Sequence, residues 1–165
     1  MKAFKTAKWI WQSESAGADE YAEFYPRFCV AEERLKSGKK IVCRISCDGD
    51  YTLFIADRYV ASNQYGDFEH YKIYDELDLT PHLRAGENEL KILVWHFGAD
   101  TQRYKSARAG VIFEIEKRWG QDEELLCVSD TATPCRRSPE YKSGYQKQIT
   151  PQLGFSFLYD ATQKT

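Results

Sequence analysis

The stretch Tyr71–Gly98, YKIYDELDLTPHLRAGENELKILVWHFG, decides the fold. Its centre reads as a strand, a tight helical turn and a second strand. Thr80 suits the N-cap of that turn, and Pro81 its first position, where the N–H it lacks would go unpaired anyway. Leu83 supplies an apolar contact, and Gly86 can take the left-handed conformation that ends the turn. From Glu89 to Phe97 apolar residues fall on both faces, with Leu90, Ile92 and Val94 on one and Leu93, Trp95 and Phe97 on the other. A short run of this kind, with β-branched and aromatic members, predicts an inner strand. Trp95 in its middle is expected between packed layers. His96 shares the face of Leu90, Ile92 and Val94 and is expected to be a structural histidine, satisfied by a hydrogen bond.

Outward from this strand the pattern continues. Lys40–Cys47 alternates with Ile41, Cys43, Ile45 and Cys47 inward. Asp48-Gly49-Asp50 reads as a hairpin into a return strand carrying Tyr51, Leu53 and Ile55, and Asp57-Arg58 makes the next turn. Phe24–Val30 is a strand whose Pro26 marks an edge or a bulge. Val111–Glu116 alternates, Trp119-Gly120-Gln121-Asp122 turns the chain, and Leu125–Ser129 follows as a short strand. Residues 130–148 look irregular, and Leu153–Tyr159 supplies a last strand. Trp9 and Trp11 are read as covering one end of the fold. No amphipathic pattern is long enough for a substantial helix. Many short strands separated by turn signals predict an all-β chain, an antiparallel jelly-roll β-sandwich of the galactose-binding-domain-like kind. It is expected to form a single domain over 1–165, strand-rich from about residue 22 to 160.

A net charge of −2 and a pI near 6.0 give no footprint for nucleic acid or for an anionic membrane. No apolar run reaches transmembrane length, and the opening MKAFKTAKWIWQSES has no signal-peptide core, so a cytoplasmic protein is expected. The five cysteines are odd in number and lack zinc spacing. Cys43 and Cys47, four apart on a strand, stand roughly 13 Å from each other, too far for a disulfide. Reduced core thiols fit the cytoplasm.

Catalytic readings find little. His70, His82 and His96 have no metal-ligand spacing, and there is no nucleophile elbow, phosphate loop or zinc motif. No cofactor or metal is expected. Asp48 and Asp50 offer oxygen ligands for calcium, but Asp-Gly-Asp is read as a turn. Binding has more to work with, because sugars are held by aromatic faces and by side chains that hydrogen-bond their hydroxyls. The 63–71 loop offers Asn63, Tyr65, Asp67 and Phe68, and the 98–110 loop offers Gln102, Arg103, Tyr104 and Arg108. The same chemistry would dock a neighbouring domain, so carbohydrate and domain both stand as partners. Tyr104 is placed on the exposed loop, away from the core.

Several elements also carry a family resemblance. Asp78-Leu79-Thr80-Pro81, Leu83 and Gly86-Glu87-Asn88 are similar to a "D-(V/L)-T…L…G-E-N" signature of β-sandwich domains that precede glycosidase catalytic domains. His96-Phe97-Gly98, Tyr104, Arg108 and Gly110 resemble an "H-x-G…Q-Y…R-(P/A)-G" run, and Asp160-Ala161 a closing "Y-D-A". Together these resemble the N-terminal β-sandwich domains of bacterial α-L-rhamnosidases of glycoside hydrolase family 78, and more distantly the sugar-binding domains of family 2. Two departures stand out: Ala56-Asp57-Arg58 replaces an Asn-Gly turn, and no tryptophan follows Ser129-Asp130. The resemblance implies a non-catalytic accessory domain of a rhamnosidase-like enzyme, supporting substrate recognition or domain packing. In that family the catalytic carboxylates belong to a separate, larger domain, so no catalytic residue carries over. The alternative is a free-standing, lectin-like carbohydrate-binding module, with L-rhamnose or a related sugar as ligand.

Overall fold

The strand expected over Glu89–Phe97 forms, and it is central. In chain order the strands are β1 (Glu20–Phe24), β2 (Arg27–Val30), β3 (Lys40–Cys47), β4 (Gly49–Ile55), β5 (Arg58–Tyr65), β6 (Asp75–Asp78), β7 (Gly86–His96), β8 (Val111–Trp119), β9 (Asp122–Val128), β10 (Cys135–Arg137), β11 (Gln148–Thr150) and β12 (Gly154–Phe155). Single 3-10 turns occupy Thr80–His82 and Ala161–Gln163. The structure, a computed structural model, describes residues 4–33, 38–65, 68, 70–102 and 104–163.

The large sheet has the order β10-β1-β7-β4-β5, with β2 also on β7; a smaller one has the order β6-β3-β8-β9, and β11 and β12 form a separate two-stranded ribbon. All named pairings are antiparallel, and the two sheets close on one core. The large sheet contributes Phe24, Tyr51, Leu53, Leu90, Ile92 and Val94, and the small one Ile41, Cys43, Ile45, Val111, Phe113 and Ile115. The alternating faces expected of β3, β4 and β8 are the observed inward ones, and of the two apolar faces of β7 the one with Leu90, Ile92 and Val94 enters the core. The chain is an antiparallel β-sandwich. Its cysteines are unpaired.

Pro26 interrupts without shifting register. Phe24 faces Ile92 on β1 and Arg27 faces Glu89 on β2, so the two strands follow one line along β7. The Pro26 carbonyl accepts from Leu90 N at 3.0 Å, but proline has no N–H to return the bond.

Four local expectations are corrected. First, Asp48-Gly49-Asp50 is not a hairpin: β3 lies in the small sheet and β4 in the large one, so the chain changes sheets there. The period-2 pattern is the same on either side of a hairpin and of a sheet crossing, so spacing could not separate them. Second, the tight turn between β4 and β5 uses Ala56 and Asp57, both at positive φ (48° and 59°), while Arg58 is already in the strand, opposite Ile55. Two left-handed residues in a two-residue loop suit Asn-Gly. The double replacement Ala56→Asn, Asp57→Gly should therefore raise stability by about 1 kcal/mol; a urea midpoint that does not move would refute it. Third, Thr80 does not cap its own turn; its Oγ1 accepts from Ile41 N at 2.8 Å and ties the turn to β3.

The fourth correction concerns the outer face of the large sheet. Trp95 is not between the two sheets. It lies half-buried on the outside, stacked on Tyr21 (centroids 5.2 Å), which stacks in turn on Tyr141 (5.2 Å). Its Nε1 donates to Asp19 at 3.0 Å. Residues 135–160 cover this face. Within them β10 pairs with β1, where an irregular segment was expected. The expected strand over Leu153–Tyr159 shrinks to β12 and an isolated bridge between Tyr141 and Tyr159. Its apolar run caps the aromatic layer from outside, with Phe157 and Tyr159 against Tyr141, rather than entering the core.

The N-terminal segment covers the other outer face. Glu114, fully buried on β8, accepts at one oxygen from the backbone N–H groups of Lys5 (2.7 Å), Thr6 (2.7 Å) and Ala7 (3.0 Å). Further on, Lys8 N donates to Ser129 O (2.8 Å), and Ile10 exchanges two bonds with Val111 (3.0 Å each). Residues 8–10 thus run as a short extra strand at the mouth of β8.

Candidate functional site

The end of the sandwich where β3 crosses into β4 is organised by one buried carboxylate. Asp48 has no exposed surface, and three segments distant in sequence converge on it. His96, ending β7, donates from Nδ1 at 2.8 Å; Lys72, from the connection before β6, donates at 2.9 Å; Tyr104, from the long loop, donates its hydroxyl. Burial by itself would raise the Asp48 carboxyl, but the bonds from His96, Tyr104 and Lys72 outweigh it and hold the group below its usual range. The Tyr104 phenol is pushed up by burial and by the same bond. The arrangement is a structural clamp. It fixes the 98–110 loop and the 70–74 connection to the end of the core strand, and it satisfies His96 in the expected way.

Tyr104 therefore does not sit on the exposed loop. It is 2% exposed and meets Phe97 edge-on at 5.0 Å, supporting the loop from beneath. The loop itself is closed by short-range bonds, Thr101 N to Tyr104 O (2.9 Å) and Ser106 N to Asp100 (2.8 Å). Gln102 is exposed, and its backbone N–H donates to Pro151 O at 2.8 Å. Arg103 lies outside the described residues, as does Asp67. Asn63 stands on β5, not in a loop, and its amide donates to both oxygens of Asp75 (3.0 and 2.9 Å). Tyr65 ends the same strand opposite Gly49. Phe68 is exposed, bridged to Tyr71 through the backbone and stacked on His70 at 5.6 Å. The candidates thus scatter over a strand, a loop and a loop's underside.

Arg108 is the exception, because it lines a cleft of about 960 Å³ together with Trp9, Trp11, Lys72, His96 and Asp130. The cleft runs between the N-terminal segment, the turn before β8 and residues 130–135. Trp11 packs on Phe24 (6.0 Å) and on the His96 ring (5.9 Å), covering the end of the core as expected. Trp9 does not: it is 45% exposed. A second cleft of about 1060 Å³ lies beside the Ala56-Asp57 turn, lined by Tyr25, Phe54, Arg58, Arg84, Lys91 and Arg136. Its cations are largely used inside the protein, with Lys91 and Arg136 both on buried Glu23. Among the described residues no group of His, Cys, Asp and Glu is arranged to hold a metal ion, and no helix is long and apolar enough to cross a membrane.

Sequence reasoning missed Asp48 and Lys72. A turn signal concealed the first, and nothing in the local pattern marks the second.

No family model matches the chain, and no curated protein matches it. Solved structures do. The chain superimposes over 95% of its length on the GH78 family rhamnosidase of Bacillus sp. GL1, with a TM-score of 0.82 and 26% identity, and covers 16% of that chain. It is similar over 82% of its length to the α-L-rhamnosidase of Dictyoglumus thermophilum, at a TM-score of 0.58 and 17% identity, covering 16% of that chain. The apo lectin of Pleurotus ostreatus shares the fold over 93% of this chain, at a TM-score of 0.54 and 19% identity, with 41% of its own length covered. The resemblance to a β-sandwich portion of family 78 rhamnosidases is borne out by the first of these. The chain spans only about a sixth of the length of the rhamnosidases it matches (16% each).

Proposed function

We propose that this chain, as one domain over residues 1–165, is the non-catalytic accessory β-sandwich of an α-L-rhamnosidase-like glycoside hydrolase, and that it frames carbohydrate and packs against a catalytic domain. The observation that carries the reading is the match of 95% of the chain to a 16% portion of a rhamnosidase. The chemistry agrees with it. The most buried carboxylates, Glu23, Asp48 and Glu114, all accept bonds from the protein's own donors, which suits structure better than proton transfer at a glycosidic bond. Phe157, packed on Tyr141 at the outer edge of the aromatic layer, is 61% exposed, apolar surface of the kind that another domain would cover. Unpaired thiols fit a reducing compartment, and we place the protein in the cytoplasm. A second reading, a free-standing carbohydrate-binding module, is favoured by the exposed Trp9 at its cleft.

The test is direct. The purified chain should give no turnover of aryl α-L-rhamnosides. Turnover that co-purifies with the protein and disappears when one of its own carboxylates is changed to amide would overturn the reading.

A further inference from the structure

We propose that the cleft between the N-terminal segment and the turn before β8 binds a neutral pyranoside, with the Trp9 indole as platform and Arg108 as donor to a pair of its hydroxyls. The inference rests on the carbohydrate-framing reading above and gives it a site.

Trp9 is an exposed aromatic held rigidly. The residues on either side of it are fixed by backbone bonds, Lys8 N to Ser129 O (2.8 Å) and Ile10 to Val111 (3.0 Å), and Ser129 Oγ donates back to Lys8 O at 2.7 Å. Its ring lies against Gly110, where an added Cβ would stand 2.9 Å from Trp9 Cε3. The glycine thus lets the indole lie close to the backbone, while 45% of the residue stays open to solvent. A ring already supported on one side loses little freedom when a ligand stacks on the other.

Arg108 supplies the polar half. It is exposed at the same cleft and, among the described residues, has neither a hydrogen bond nor an ion pair, so its forked donors are free to meet two adjacent hydroxyls. Trp11 adds a buried Nε1–H that has no acceptor among the described residues. The lining is apolar at Ile10, Trp11 and Ala109 and polar at Arg108, Asp130 and Thr131. That division matches a sugar, which is apolar on its C–H faces and polar around its edge. The charge sets the class. Lys72 is already neutralised by Asp48, which leaves the carboxylates of Glu14 and Asp130 against one guanidinium and disfavours an acidic sugar. A volume of about 960 Å³ admits a small ligand of this kind.

The experiment is a titration of the full chain with methyl α-L-rhamnopyranoside, methyl β-D-galactopyranoside and D-glucuronate, followed by tryptophan indole resonances and by calorimetry. A neutral glycoside should shift the Trp9 indole signal. Trp9→Ala and Arg108→Ala should each weaken its binding by about tenfold or more, with urea midpoints kept near the parent's by the exposure of both side chains. Gly110→Ala, which pushes the platform away without removing it, should weaken binding as well. Binding that survives both Trp9→Ala and Arg108→Ala would overturn the site and leave the carbohydrate reading standing. Glucuronate binding alone would overturn the ligand class. Silence with every neutral glycoside would overturn the inference, while the accessory-domain reading would still be judged by its own turnover assay.

Discussion

Asp48→Ala is expected to destabilise the protein by about 3–5 kcal/mol, the range for removing one partner of a buried ion pair. The carboxylate has no exposed surface and receives bonds from His96, Lys72 and Tyr104. Alanine leaves a buried phenol and a buried imidazole without their acceptor and takes the carboxylate from the Lys72 ammonium. Asp48→Asn keeps the shape but turns an amide donor toward a ring of donors, so it should cost less, about 2 kcal/mol. The pH dependence has a definite sign. Because the folded-state carboxyl is held below its usual range, its contribution is fully present above the unfolded value of about 3.9. It fades as the pH falls toward and through the lower folded value. Parent and Asp48→Ala urea midpoints should therefore differ most near neutral pH and converge in acid. Equal midpoints at pH 7 would show that the clamp holds nothing.

The interior of the fold was legible because burial imposes a period. Ile41, Cys43 and Ile45, or Leu90, Ile92 and Val94, must face one way in a strand, and they do. What the period cannot encode is which sheet a strand joins, and so Asp48-Gly49 read as a hairpin when it is a crossing. Nor does apolarity on both faces of β7 say what lies on each side. Trp95 faces an outer aromatic layer that begins with Tyr21, far earlier in the chain, and continues to Tyr141, far later, and only the tertiary fold brings Tyr141 to Tyr21. The candidate site suffered most from this. Tyr104 looked like a loop residue because its neighbours are polar, yet its partner is a carboxylate 56 residues away. In the sequence Trp9 suggests cover, the commoner place of a tryptophan near a strand, and only Gly110 beneath it and solvent above it make it a platform.

Gly49→Ala is expected to have the largest effect of any single methyl group added to this protein, because two costs coincide. The φ of Gly49 is 94°, a conformation in which a side chain is strained. The new Cβ would also stand 2.1 Å from Trp95 O and 3.2 Å from Trp95 C. Those atoms belong to the backbone of β7, opposite Asp50 on β4, and cannot rotate out of the way as a side-chain end can. Relief requires β4 to lift from β7 at the point where the chain changes sheets, and that movement also pulls Asp48 out of its clamp. A cost of about 4 kcal/mol or more follows from strain and overpacking together. That is much of the roughly 5–15 kcal/mol available to a domain. Gly86→Ala is the matched control. Its φ is nearly the same, 91°, but nothing lies within 4 Å of the added atom, so only the dihedral cost applies, about 1–2 kcal/mol. Urea denaturation of the two variants separates the effects. A Gly49→Ala protein as stable as Gly86→Ala would mean that the crossing yields more easily than its close contact with Trp95 implies.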